Sequence, residues 1–247
     1  MLKDSFDEIF ANKNRIMFVF SHPDDADIFA GGTIARLVEA GKEVFVAKMT
    51  LGNKGSRQEK ISEQELSEVR LKEDHAAMGV LGIRPENNFY LNFKDGEIES
   101  NYNSREQLVR LIRKCKPDIV ITHNPEDVII RFSKGVNWVN HSDHRHTGLL
   151  VTDAGYPYSR DILFYPEHFE VDGLESHTVT EFLFVDYYEH PDTVTIDITD
   201  QLDRKINAIS AHSSQFDKEK SKESADFFTK LDDSGKRYER FRHVVAD

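Results

Sequence analysis

The chain has 247 residues, with 44 Asp and Glu against 32 Lys and Arg, for a formal net charge of −12 at pH 7. Its 38% hydrophobic and 11% aromatic content suffices for a sizeable core, while the acidic balance argues against nucleic acid as a partner, because phosphate binding needs a basic patch. A single cysteine, Cys115, excludes an internal disulfide and fits a reducing cytoplasm.

In chain order, residues 1–7 lack the long apolar core of a signal peptide, and no apolar run is long enough to span a bilayer, so no membrane partner is expected. Residues 15–21 predict a buried first strand. It runs into His22, Asp24 and Asp25. The spacing of Ile28, Ala35, Leu37 and Val38 then predicts a helix over 28–40, closed by Gly41. Residues 43–49 alternate as a second strand, and 50–56 form a glycine-punctuated loop beyond it. A long amphipathic helix over 62–79 carries Arg70 and Glu73. A short strand at 89–91 follows, then a helix at 105–114 that stops before Pro117. The apolar run at 118–122 reads as another buried parallel strand. This βαβα alternation predicts an α/β fold, a Rossmann-like, mostly parallel sheet with helices on both faces, in a single domain over 1–247.

The second half is less regular. Residues 124–140 read as a loop, with Trp138 near its end. A helix over 144–154 opens after a histidine cluster. Strands are expected at 161–166, 181–187 and 193–198, and Asp200 can cap a helix over 202–212. Residues 213–247 are heavily charged, and their Lys/Glu spacing predicts a solvated, helical C-terminal extension.

Two stretches carry chemical groups. In open α/β sheets ligands bind beyond the carboxyl ends of the strands. One imidazole and two carboxylates there can supply metal ligands and a base together. They can also do less: the aspartates can simply cap the next helix, offsetting its unpaired amides and dipole. The second stretch, Asn140-His141-Ser142-Asp143-His144-Arg145-His146, is unusual for a core segment, although a surface loop or an adventitious metal tract has the same composition. His123, after the fourth strand, lies near the same expected face. The Gly31–Gly32 pair lacks both the spacing of a dinucleotide fingerprint and a following Lys-Ser/Thr.

His22-Pro23-Asp24-Asp25 after a first strand, with His141-x-Asp143-His144 further on, resembles the PIG-L/LmbE-like family of zinc-dependent deacetylases. Thr50-Leu51-Gly52 with Gly55, Arg70 and Glu73 in the following helix, Pro117-Asp118-Ile119-Val120, and Lys205, Ala208, His212, Ser214 and Gln215 extend the likeness over most of the chain. The resemblance implies zinc, or another divalent metal, on His22, Asp25 and His144, with a fourth position open for water. It implies Asp24 as the base and His141 as the acid and oxyanion stabiliser. It makes Asp143 the carboxylate that holds the His141 ring and raises its pKa. Arg70 is a candidate substrate contact, the alternative being a salt bridge with Glu68 or Glu73. His146 matches no ligand. Ala26 stands where relatives often have Glu, and Asn53 where many have an acidic residue.

The reaction implied is hydrolysis of an N-acetyl amide on an amino sugar or its conjugate, a small-molecule substrate, giving acetate and a free amine. A nucleotide-binding Rossmann module and a non-catalytic metal-binding protein are the two other classes. The natural substrate, the physiological metal and the formation of a homo-oligomer are left open.

Overall fold

The structure, a computed structural model, describes residues 2–56 and 60–246. Helix α1 (Phe6–Phe10) buries Phe6, Ile9 and Phe10. Strand β1 (Arg15–Phe20) is buried on both faces from Ile16 onward, as a central parallel strand must be. The chain then alternates through α2 (Asp25–Glu39), β2 (Glu43–Thr50), α3 (Glu63–Leu81), β3 (Asn88–Phe93), α4 (Tyr102–Cys115) and β4 (Ile119–Thr122). Helix α3 opens on a reciprocal Ser62–Glu65 capping box and closes on Gly82 in the left-handed region, φ 84°.

Next come a hairpin, β5 (Ile129–Ser133) and β6 (Val136–Val139), then α5 (Ser142–Asp153), α6 (Glu167–Glu170), β7 (Glu181–Phe184) and β8 (Thr193–Asp197). Helices α7 (Leu202–Ala211) and α8 (Lys218–Phe228) precede β9 (Lys230–Leu231) and β10 (Arg237–Val245). The main sheet runs β3-β2-β1-β4-β7-β10-β8, with β9 beside β10. Its first five strands are parallel, whereas β10 is antiparallel to β7 and β8.

Alternate residues of β1 serve two cores. Ile16, Phe18 and Phe20 meet α2, α3 and α7 on one face; Met17 and Val19 meet α4 and α5 on the other. The expected α/β fold, with helices on both faces, is therefore present. Among the described residues no helix is long and apolar enough to cross a membrane.

Three expectations fail, each for a physical reason. Residues 124–140 contain the β5–β6 hairpin, turned at Gly135 with φ 84°. Residues 161–166 form turns, because the buried Arg113 guanidinium takes the carbonyls of Asp161, Phe164 and Tyr165 that a strand would need for its ladder, along with those of Tyr158 and Ser159 just before them. Among the described residues of the stretch 213–247 only α8 is helical, and β10 runs through the sheet. Its buried Glu239 is accommodated there by the Lys205 ammonium at 2.7 Å and the amides of Gly32 and Thr33.

Candidate active site

Five parallel strands deliver their C-terminal ends to one edge, and the loops leaving four of them carry His22 (after β1), Asp95 (after β3), His123 (after β4) and Asp186 (after β7). Helix α5 adds His144 from its first turn. Gly148 makes that approach feasible, since a Cβ there would lie 2.4 Å from the carbonyl oxygen of His123.

Asp25 is the centre of the cluster. Its Oδ2 accepts the His22 amide at 2.7 Å and faces His22 Nδ1 at 3.3 Å and His123 Nε2 at 3.2 Å; its Oδ1 faces His144 Nε2 at 3.3 Å. Burial pushes its carboxyl up, but the imidazoles of His144, His123 and His22 outweigh that and hold it well below the usual range. The other nitrogen of His22, Nε2, meets Asp95 Oδ1 at 3.3 Å and Asp143 Oδ2 at 3.4 Å. Burial alone would lower the His22 pKa; Asp25, Asp143 and Asp95 together raise it well above the ordinary value.

Neither aspartate of the His-Pro-Asp-Asp stretch caps α2. Asp24 makes no side-chain cap bond. Its Oδ1 instead accepts Arg70 Nη2 at 2.7 Å, and Arg70 Nη1 donates to the carbonyl of Gly52 at 2.8 Å. Arg70 is only 3% exposed. It is thus a strut behind Asp24, where the sequence suggested a substrate contact or a pair with Glu68 or Glu73. Gly52, at φ 61°, leaves room for the guanidinium: a Cβ there would sit 2.1 Å from Nη1.

The expected Asp143–His141 pairing is corrected. The Asp143 carboxylate accepts the Gly96 amide at 2.7 Å and meets His22 Nε2 at 3.4 Å; it comes within 4.8 Å of a His141 ring nitrogen without hydrogen-bonding it. What His141 receives is the Asp143 backbone amide, on Nδ1 at 3.1 Å, as the N-cap of α5. Burial and the imidazoles of His22 and His144 lower the His141 pKa, and the opposing pull of Asp143 loses to them. Sequence spacing placed the two residues together but could not say which group of Asp143 faces the ring.

The His22, Asp25 and His144 side chains bring their ligand atoms within 4.8 Å of one another. Two imidazoles and a carboxylate form a donor set for a divalent cation. Of three further groups, one, His22 with His141 and Asp143, shares the His22 ring with this set, and the other two do not fit an ion. His123 and His144, grouped with Asp186, stack at 3.9 Å with planes 11° apart. Their in-plane lone pairs run parallel and cannot converge on one ion. In the group Glu106, Glu167 and His168, His168 is held between Arg113 at 2.9 Å and Glu106 at 2.8 Å, and Glu106 also pairs with Arg110.

Asp95 and Asp186 were not singled out from sequence. Asp95 precedes a glycine and Asp186 follows an apolar run; that position beyond a strand was the only available signal. Burial pushes the Asp186 pKa up to about 6, against the pull of His144 and the Tyr188 hydroxyl. His123 is fully buried, and burial with the neighbouring His144 drives its pKa down to about 3.

The C-terminal segment is tied to the site by buried polar contacts. Lys205 donates to the carbonyls of Asp27 and Ile28, and His212 Nε2 meets Asp27 Oδ2 at 2.7 Å. Ser213 and Ser214 bind Glu73 of α3. These bonds anchor α7 and the turn that follows it; that turn and α8 line a cleft of about 750 Å³ that reaches Asp24, with Ser214, Gln215, Phe227 and Phe228 along it. Of the departures, Ala26 is fully buried and Asn53 lines a separate hollow beside Asp95.

Residues 17–155 match the family described as PIG-L: GlcNAc-PI de-N-acetylase. Over 214 residues the chain is 31% identical to the diacetylchitobiose deacetylase of Thermococcus kodakarensis, covering 85% of this chain and 73% of that protein. It is 26% identical to the 1D-myo-inositol 2-acetamido-2-deoxy-alpha-D-glucopyranoside deacetylase of Rhodococcus opacus, covering 83% and 82%. Among solved structures, N,N'-diacetylchitobiose deacetylase from Pyrococcus horikoshii superposes with a TM-score of 0.81 at 28% identity, covering 96% of this chain and 85% of that one.

Proposed function

The chain belongs to the PIG-L family of GlcNAc-PI de-N-acetylases, and from that membership we propose that it is a metal-dependent amidohydrolase removing the N-acetyl group from an amino sugar or small amino-sugar conjugate. The observation that carries the reading is the convergence of His22, Asp25 and His144 beside Asp24 at the end of a cleft. We assign zinc as the ion, because two imidazoles and one carboxylate with an open position make a catalytic zinc donor set. Bound there, the ion supplies an acidified water and a Lewis acid for the acetyl carbonyl.

The chain's own residues do the rest. His22 presents Nδ1 toward Asp25 while Asp95 and Asp143 hold its Nε2–H, the carboxylate support that orients a ligand imidazole. Arg70 occupies one oxygen of Asp24, which leaves the other for a proton. Asp24 takes that proton from the attacking water as the water oxygen bonds to the acetyl carbon. It then returns the proton to the amide nitrogen; the C–N bond breaks, giving acetate and the amine. His141 accepts a backbone amide on Nδ1, so its neutral form is assigned the Nε2–H tautomer. That N–H is a donor for the developing oxyanion, a role that needs no charge. A lining that combines apolar Phe227 and Phe228 with polar Ser214 and Gln215 suits the amphipathic surface of a sugar. We place the protein in the cytoplasm, on its one buried cysteine.

The test is metal stripping followed by reloading with zinc. Acetate release from N-acetylated amino sugars should vanish and return with about one ion per chain. His22→Ala, Asp25→Ala and His144→Ala should each lose most bound zinc. Full occupancy in all three variants would contradict the ligand assignment.

A further inference from the structure

Asp186 is a carboxylate that the reaction above leaves unused. It stands just beyond β7 with φ 65°, a left-handed conformation that aspartate tolerates better than most residues. Its side chain is buried. Oδ1 accepts the Tyr188 hydroxyl at 2.9 Å, and the Tyr188 ring lies under the Arg240 guanidinium at 4.4 Å, which fixes the carboxylate from behind. Oδ2 is buried without a partner. A buried carboxylate oxygen left unpaired is costly, so a donor is to be looked for nearby.

His144 is that donor. A carboxylate oxygen of Asp186 and a ring nitrogen of His144 lie within 4.8 Å. His144 Nε2 already faces Asp25, so Nδ1 is its free nitrogen. The ring is held on its flat side by the stacked His123 and at its edge by Phe29 at 6.0 Å. Neither contact stops a half-turn about the Cβ–Cγ bond, which would put Cδ2 and Cε1 where Nδ1 and Nε2 stand; a hydrogen bond from Nδ1 in the ring plane would hold the ring against it.

We propose that Asp186 is a positioning residue for His144: its Oδ2 accepts the Nδ1–H of His144 and thereby commits Nε2 to the metal. The proposal rests on the assignment of His144 as a ligand. Its nearest competitor is His123, whose own Nδ1 is buried and unpartnered in the same cluster.

Two measurements decide. The first is zinc affinity by competition with a chromophoric chelator, for wild type, Asp186→Ala and Asp186→Asn. Asp186→Ala should bind zinc about 10–100-fold more weakly, and Asp186→Asn, which keeps a neutral acceptor, should recover part of that loss. The second needs no variant: nitrogen-15 NMR of the histidine rings in the zinc-loaded wild type. It should show a slowly exchanging Nδ1–H on His144. Equal zinc affinity in wild type and Asp186→Ala overturns the proposal alone, as does an Nδ1–H of His144 that exchanges freely or a protected proton found only on His123. A wild type that binds no zinc overturns both the proposal and the ligand assignment beneath it.

Discussion

His22 is held on both nitrogens, by Asp25 on one side and by Asp95 and Asp143 on the other. Losing Asp143 should therefore be felt at the metal. Asp143→Asn is predicted to weaken zinc binding by about 10–100-fold and to leave the alkaline limb of the pH–rate profile in place; chelator competition and a pH–rate series check both. His141 works differently. Its lowered pKa keeps it neutral as the pH rises through the ordinary histidine range, so its N–H is present at neutral and alkaline pH and no activity is lost there through its titration. His141→Ala should cut turnover about 10²–10³-fold, the usual worth of one oxyanion donor, by the same factor at pH 7 and pH 9, with zinc retained. An equal loss of zinc would place His141 among the ligands. Most of these residues were legible because the chemistry is packed into two short stretches. Asp95 and Asp186 were not, since each is a lone aspartate whose partners come from distant loops. The direction of the Asp143 side chain was likewise invisible: the turn onto α5 sends its amide to His141 and its carboxylate to His22.

Helices and strands fix how accurately those groups meet. Gly148 lets α5 touch the loop after β4, and the atoms a Cβ would strike, His123 O at 2.4 Å and Pro125 N at 3.0 Å, belong to the backbone and cannot swing aside. Gly148→Ala should cost about 1–3 kcal/mol or more by overpacking and weaken zinc binding as His144 is displaced; urea unfolding with a zinc titration tests both. Between β2 and α3, Lys48 and Asp74 form a fully buried pair, joined by Asn88 and Tyr90 of β3. Burial raises the Asp74 pKa, yet Lys48 and the Asn88 and Tyr90 hydrogen bonds outweigh it and hold the carboxyl below its usual value. The folded state thus binds this proton less tightly than the unfolded chain does. The stabilisation is complete above the usual carboxylate pKa and is lost as the pH falls through about 4 toward the depressed folded value. Asp74→Ala leaves a buried ammonium unpaired and should cost about 3–5 kcal/mol near neutral pH, with a smaller penalty in acid, measured by urea unfolding across pH. The early strands were readable because β1 and β4 are near-continuous apolar runs, as suits a sheet covered on both faces, and β2 alternates. Strand β10 was unreadable as a central strand. Its Glu239 argues for a solvated surface until Lys205 and two amides of α2, all remote in sequence, are seen around it.

Across the molecule, the parallel half of the sheet gathers the chemistry at one edge, and the C-terminal half closes a cleft over it. The charge of −12 suits a protein that concentrates a cation and binds a neutral sugar. Because the folded site binds metal and the unfolded chain has no such site, zinc at a hundred times its dissociation constant should add about 2.7 kcal/mol of stability, visible as a rise in melting temperature that His144→Ala lacks. Metal binding and stability are still silent on the reaction. The direct measurement is parallel quantification of acetate and free amine from a panel of N-acetylated amino sugars and their conjugates, using zinc-loaded wild type and zinc-loaded Asp24→Asn. At least one substrate should yield acetate and amine in equal amounts with wild type, and Asp24→Asn should release them about 10²–10⁴-fold more slowly with its zinc in place. No release from any N-acetylated substrate, or equal rates in the two proteins, would contradict a deacetylase that uses Asp24 as its base.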